Sequence, residues 1–183
     1  MKLMRSLHKG CTLFLILIAL VYPAQAATSN PEVLGWLEGA YLQPWGVRVR
    51  ARLDSGARTS SMHAEKIEPF KKDGAEWVRF HFPFGRREGY PHGFDIERPL
   101  VRHSHVKNRE GGLQERYVIK LDICVSGRTN TVELSLVNRS NLNYPIILGR
   151  EALAGQYLID PGRTFMGKRT CPRKLLKSRP GKK

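Results

Sequence analysis

The chain has 183 residues, enough for one domain with a sizeable core and too few for a second large one. Hydrophobic residues at 41% and charged residues at 26% exclude a wholly disordered chain. The formal charge of +15 suggests an acidic polymer as partner. However, three of the excess cations fall in residues 1–26 and eight in 167–183, so residues 27–166 carry only +4 and nucleic-acid binding along the chain is not expected.

Lys2, Arg5 and Lys9 precede an apolar run from Cys11 to Tyr22, and Ala24-Gln25-Ala26 follows it. A basic start, a short apolar run and small residues three apart form a cleavable export signal over 1–26. The run falls short of the about 20 apolar residues that span a bilayer, which makes a retained anchor the lesser alternative. Processing would leave a chain beginning at Ala27 in an oxidising, periplasmic compartment. Cys124 and Cys171 then permit a single pairing. Cys124 reads equally as a small buried hydrophobe within a strand, and both readings stay open.

The body, 27–166, reads as short strands. Val47, Val49, Ala51 and Leu53 alternate with Arg48, Arg50 and Arg52, giving a half-buried strand with a basic outer face. Val78, Phe80 and Phe82 alternate with Trp77, Arg79 and His81. Residues 83–99 are rich in Gly, Pro and charge and read as a long loop or insertion. Tyr117, Ile119, Leu121, Ile123 and Val125 alternate with Val118, Lys120, Asp122 and Cys124; turn residues 126–130 and the apolar positions Val132, Leu134 and Leu136 complete a hairpin. Tyr144–Leu148 is a short apolar strand, and Arg150–Tyr157 is expected to form two helical turns weakened by Gly155. The basic residues of 167–183 belong to a solvated, disordered tail or to a segment that contacts an anionic envelope surface.

Two local features carry candidate chemistry. Leu53-Asp54-Ser55-Gly56-Ala57 ends the first alternating strand, and an acid followed by a hydroxyl, a glycine and a small residue suits a tight turn that presents a carboxylate. Pro145-Ile146-Ile147-Leu148-Gly149-Arg150 is an apolar strand ending in Gly-Arg. In that order the two motifs resemble the retropepsin-like aspartic proteases, which carry D-[ST]-G-A after an N-terminal strand and an apolar-apolar-Gly-Arg strand before a short helix. The longer pattern Ala51 to Ala64 is similar to the bacterial family labelled ATP-dependent zinc proteases. It is echoed by Val106-Lys107-Asn108, Glu115 to Ile119, Asn138-Arg139-Ser140 and Leu158-Ile159-Asp160-Pro161.

The resemblance implies a mainly β, retropepsin-like barrel with one short C-terminal helix. It implies an aspartic peptidase in which Asp54 is catalytic and Ser55, Gly56, Ala57, Gly149 and Arg150 support its loop. Gly111 and Gly112 would lie in a flap over the substrate, from about Val106 to Gln114. One such aspartate per chain implies a homodimer with Asp54 from each copy at a two-fold axis; in a monomer, Asp160 would be the partner to test. The place held by an acidic residue in retroviral members is Arg58 here, which leaves Arg150 without its expected partner and favours acidic, glutamate-rich peptides. Alternatively Arg58 pairs with a glutamate such as Glu65.

No cofactor is expected. The chain lacks the G-x-x-x-x-G-K-[ST] cradle for ATP, and His103-x-His105 lacks the spacing of a zinc site, reading instead as two solvated histidines. A non-catalytic module that binds peptide or a partner on the same fold is the competing function.

Overall fold

The computed structural model describes residues 30–83, 93–107 and 111–172. The expected export signal, residues 84–92 of the expected loop, the flap segment 108–110 and tail residues 173–183 lie outside the described residues. The described residues form β1 (Glu32–Leu42), β2 (Val47–Leu53), β3 (Ser60–His63), β4 (Glu65–Lys72), β5 (Ala75–Phe82), β6 (Phe94–Pro99), β7 (Arg102–Lys107), β8 (Leu113–Val125), β9 (Arg128–Val137), β10 (Ile146–Leu148), a helix α1 (Arg150–Leu153) and β11 (Tyr157–Thr164). This is the mainly β architecture the resemblance implied.

The main sheet runs β11-β1-β2-β10-β3-β9-β8-β7. The far end of β1 also pairs with β8, Ala40 to Leu42 against Ile123 to Val125, so the strands from β1 round to β8 close on themselves. Closure leaves an inside and an outside, which is why alternation is legible in β2, β8 and β9. Val47, Val49, Ala51, Leu53, Ile119, Leu121, Ile123, Leu134 and Leu136 all enter one core. The hairpin between β8 and β9 turns on Ser126 and Gly127, both at positive φ (52° and 85°), as a two-residue turn with the twist of its strands requires.

Three expectations are corrected. The loop assigned to 83–99 contains β6, which pairs antiparallel with β5 in a second, three-stranded sheet β4-β5-β6. Its charges are the outer face of a strand: Arg79 faces Glu97 and His81 faces Asp95 in register, with bonds of 2.8 Å each. Its inner residue Ile96 joins Val78, Phe80 and Phe82 in the core. The helix expected over 150–157 stops at Leu153, and after Gly155 at φ 73° the chain enters β11, parallel to β1. Nor does the body end at 166. Met166 and Gly167 donate their N–H groups to the buried carboxylate of Glu38, and Lys168 N–H donates to Ser126 Oγ. Gln43 Nε2 reaches Pro172 O.

A Cys124–Cys171 disulfide, which the sequence left open, fastens this segment over Tyr41. The bridge spans 47 residues of sequence. Loop-closure entropy for that length is about 4 kcal/mol, and a bridge of this kind typically contributes about 2–4 kcal/mol. Cys171→Ser is therefore expected to lower the unfolding temperature by several degrees, and reductant should do the same to the parent but not to the variant. Equal unfolding temperatures for parent and variant in oxidising buffer would show the bridge to be energetically idle.

Candidate active site

Leu53 is buried at the end of β2 and Asp54 is the first residue beyond it, so the strand carries the carboxylate to the sheet's rim. The Asp54 N–H continues the ladder onto Leu148 O at 2.9 Å. Asp54 Oδ1 accepts the N–H groups of Gly56 at 3.0 Å and Ala57 at 3.3 Å, the bonding of an Asx turn. Its Oδ2 lies 2.6 Å from Arg52 Nη2, two residues back on the same face of β2. The carboxylate side chain is 18% exposed, open enough for a reactant to touch.

The other motif forms the loop's seat. β10 is inserted between β2, to which it is parallel, and β3, to which it is antiparallel. Gly149 then passes so close beneath the loop that a Cβ there would sit 2.5 Å from Thr59 O and 2.9 Å from Ala57 O. Gly149 N–H donates to Ser60 Oγ and Arg150 N–H to Ala57 O. The Arg150 guanidinium donates to the carbonyls of Ser55 and Gly56 at 3.1 and 3.2 Å, so it is bound to backbone carbonyls despite the charge reversal at Arg58. Arg58 itself donates to Glu151 at 2.9 Å, not to Glu65, which lies beside His63 instead. The Ser55 side chain is exposed at the loop's tip.

Gly111, at φ 84°, and Gly112 lie between β7 and β8, whose ends pair Val106 with Gln114 and Lys107 with Leu113. A cavity of about 280 Å3 lies against this hairpin, lined by residues that include Thr59, Ser60, Ser104, Val106 and Ser135. Asp160 finds its bonding partners within its own strand. It sits on β11, accepts the Gly162 N–H at 2.8 Å and lies 3.5 Å from Arg163 Nε. His103 pairs with Glu115 at 2.6 Å and packs on Tyr117. Among the described residues no group of three His, Cys, Asp or Glu is placed to hold a metal ion, so these donors do not fit zinc.

Three residues near the loop, each inside a motif noted in the sequence, had no role assigned from it. Arg52 was legible only as the outer face of a strand. Arg139 is half-buried, donating to Ser61 Oγ, to Tyr144 O and, through its N–H, to His63 Nδ1. Burial, and then the charges of Arg116 and Arg52, lower the pKa of its guanidinium. His63 is buried against that same turn. Nothing in the spacing marks Arg139 or His63, because their meeting depends on β3 lying parallel to β9.

The profile of a family described as "RimB-like: Retropepsin-like aspartic endopeptidase RimB" matches residues 33–170. The chain belongs to this family. Its RimB-like segment is similar to part of much longer curated relatives. It is 36% identical over 140 residues to a "Probable alpha-L-glutamate ligase" of Shewanella halifaxensis, covering 75% of this chain and 30% of that protein. Against a protein of the same name from Parasynechococcus marenigrum it is 38% identical over 119 residues, covering 62% and 24%. The chain thus spans under a third of the length of these relatives. A Legionella pneumophila crystal structure described as of unknown function superposes with a TM-score of 0.64 at 30% identity, over 75% of this chain and 98% of that one.

His63 gives the RimB-like body a titratable weak point. Burial holds its imidazole below the ordinary value of 6.5, against the opposing pull of Glu65 and the Val137 backbone and with a smaller push from Arg139. The unfolded chain therefore takes up this proton more readily than the folded one, and stability falls as pH drops below about 6.5. Thermal unfolding between pH 8 and 5 should show that loss in the parent. It should be shallower in His63→Asn, whose amide oxygen can accept the Arg139 N–H without titrating. An unchanged slope would place the pH dependence on other groups.

Proposed function

We propose that this chain is an exported aspartic peptidase that hydrolyses acidic, glutamate-rich peptides with two Asp54 carboxylates, one from each of two copies. The observation that carries the reading is the seat of Asp54: a partly open carboxylate on a short turn, clamped from below by Gly149 and Arg150. Family membership supports the reaction class. Each described chain brings one such carboxylate, and Asp160 is bonded elsewhere, which favours a two-fold pairing of loops. Ser55, exposed at the tip, would brace the opposing loop, and Gly111 and Gly112 would belong to a flap over the substrate.

Two carboxylates in contact share one proton because ionising both is costly, so an acid and a base coexist. The ionised group takes a proton from water as its oxygen attacks the scissile carbonyl carbon. The protonated group hydrogen-bonds the carbonyl oxygen and stabilises its developing charge. Collapse of the tetrahedral intermediate breaks the C–N bond, and the departing amine takes the proton that the carboxylate had received from water.

The relatives' names support the substrate class. They are named for α-L-glutamate ligation, and a peptidase on this fold would cut the bond that such a reaction makes. The basic, apolar and A-x-A order of residues 1–26 and the Cys124–Cys171 bridge support export to an oxidising compartment. One observation favours the competing, non-catalytic reading: Arg52 occupies Asp54 Oδ2 within the protomer. On that reading the chain binds acidic peptides and leaves them intact.

Asp54→Asn separates the two. The amide keeps the side chain's size but cannot share a proton, so folding should survive and hydrolysis of a glutamate-rich peptide should vanish. The parent's rate should trace a bell against pH, because the dyad works with one proton and not with two or none. A variant that cleaves at the parent's rate overturns the mechanism. Ser55→Trp should shift sedimentation from dimer toward monomer, since indole does not fit where two loops touch. A strictly monomeric, active parent would exclude the shared dyad. Hydrolysis should also survive exhaustive treatment with a chelator.

A further inference from the structure

The second sheet runs on past the core that it helps to cover. Strands β4 and β5 pair antiparallel, with Pro69 opposite Val78 and Lys71 opposite Glu76. Val78 is fully buried, and period-two alternation puts Pro69, Lys71 and Glu76 on the same face of the sheet. Beyond Val78 that face is no longer filled. Lys71 and Glu76 are exposed, and they line a cavity of about 300 Å3 to which the main sheet contributes His103 and Tyr117. Leu100, just ahead of β7, closes one side and donates its N–H to Glu76 O at 2.9 Å, tying the two walls together. The ring-bearing residues are already held in place. His103 Nδ1 lies 2.6 Å from Glu115 and its ring meets Tyr117 edge-on at 5.3 Å. Phe70, also in the lining, packs on Trp77 with the Arg79 guanidinium 5.2 Å from its ring centre. No lining residue belongs to the Asp54 turn or to β10.

We propose that this cavity binds a free aromatic amino acid, with the α-carboxylate at Lys71, the α-ammonium at Glu76 and the ring against Phe70, Leu100 and Tyr117. The two charges set the head group. Lys71 and Glu76 stand opposite each other on neighbouring strands, yet among the described residues neither has an ion-pair partner. Directly opposed residues have Cβ atoms about 5 Å apart, so a group with both charges on one carbon can enter between their longer side chains and satisfy each. A residue inside a peptide chain carries neither charge, whereas a free amino acid carries both. The walls set the side chain. Phe70, Tyr117 and His103 present rings, and an aromatic guest gains from offset or edge contacts with them beyond the area it buries. The volume lies at the small end of ligand pockets, which suits one side chain and not a length of peptide. Lys72, the neighbouring cation, is engaged over the Trp77 ring at 4.7 Å. Because His103 and Tyr117 are opposite residues of β7 and β8, an occupant would join the second sheet to the root of the hairpin that carries Gly111 and Gly112. The site does not rest on the peptidase reading of Asp54.

The test is calorimetric titration of the full chain with L-phenylalanine at millimolar concentration, beside L-alanine, which keeps the head group, and N-acetyl-L-phenylalanine amide, which keeps the ring. L-phenylalanine should bind and raise the unfolding temperature, as a ligand of the folded state must, and the other two should do neither. Lys71→Gln and Glu76→Gln should each weaken binding about fivefold or more. Both side chains are exposed, so neither change should disturb folding. Lys72→Gln should stay within about twofold of the parent, since that ammonium is engaged over Trp77. Asp54→Asn should bind L-phenylalanine as the parent does; loss of binding there would put the ligand at the Asp54 turn and overturn the cavity. Equal binding of the acetylated amide would show that the cavity takes an aromatic side chain within a peptide and would overturn the free amino acid. Absence of binding by L-phenylalanine, or Lys71 and Glu76 variants that keep the parent's affinity, would overturn the site and leave the peptidase reading untouched.

Discussion

The whole site depends on one steric constraint: Gly149 must pass beneath the Asp54 loop with no side chain between. A Cβ there would lie at sub-van der Waals distance from the carbonyls of Thr59 and Ala57. That approach lets the three-residue β10 sit between β2 and β3, extending the ladder through Leu148 to Asp54 itself. It also brings Arg150 under the loop to bind the carbonyls of Ser55 and Gly56. The carboxylate is therefore positioned by backbone on both sides, and its own side chain closes the turn.

The same insertion arranges the charge. Because β10 joins β2 to β3, Arg52 and the Ser61–Arg139 pair fall on one face. The net positive charge of the chain is thus divided between segments at its two ends, which sequence alone locates, and a smaller excess in residues 27–166, where Arg52 lies on Asp54. A few charges at a partly buried site act on a ligand more strongly than many in open solvent, since screening is weaker there. Total charge was a poor guide for that reason.

Closure of the barrel raises a separate problem at β1, which has β11 and β2 as neighbours and meets β8 at its far end. Its outer side is covered by residues 165–171, tied down by Glu38, Ser126 and the disulfide. Glu38 is a buried carboxylate that satisfies N–H groups from Gly35, Met166 and Gly167 together. This arrangement removes the apparent boundary at 166.

From the residues alone came the mainly β class, a hairpin turning within 126–130, which the structure narrows to Ser126-Gly127, and the strand that presents Asp54. These rest on local rules: period-two alternation at a sheet with one buried face, and turn chemistry within a few residues. The paired motifs around Asp54 and Gly149-Arg150 were legible because close approach requires particular residue types. What failed locally was decided by contacts distant in sequence. β1 hides its alternation because it is covered on both sides, and β6 resembled a loop because its charges pair across to β5. Cys124 and Cys171 were compatible with bonding or with separate burial until the fold placed their Cα atoms 5.9 Å apart. Arg58 met Glu151 instead of Glu65 because α1 packs against the loop, and Arg139 reached the site only through a parallel pairing of β3 with β9. Spacing along a chain reports which side a residue faces; which charges meet there is set by strand order, and that exists only once the barrel has closed.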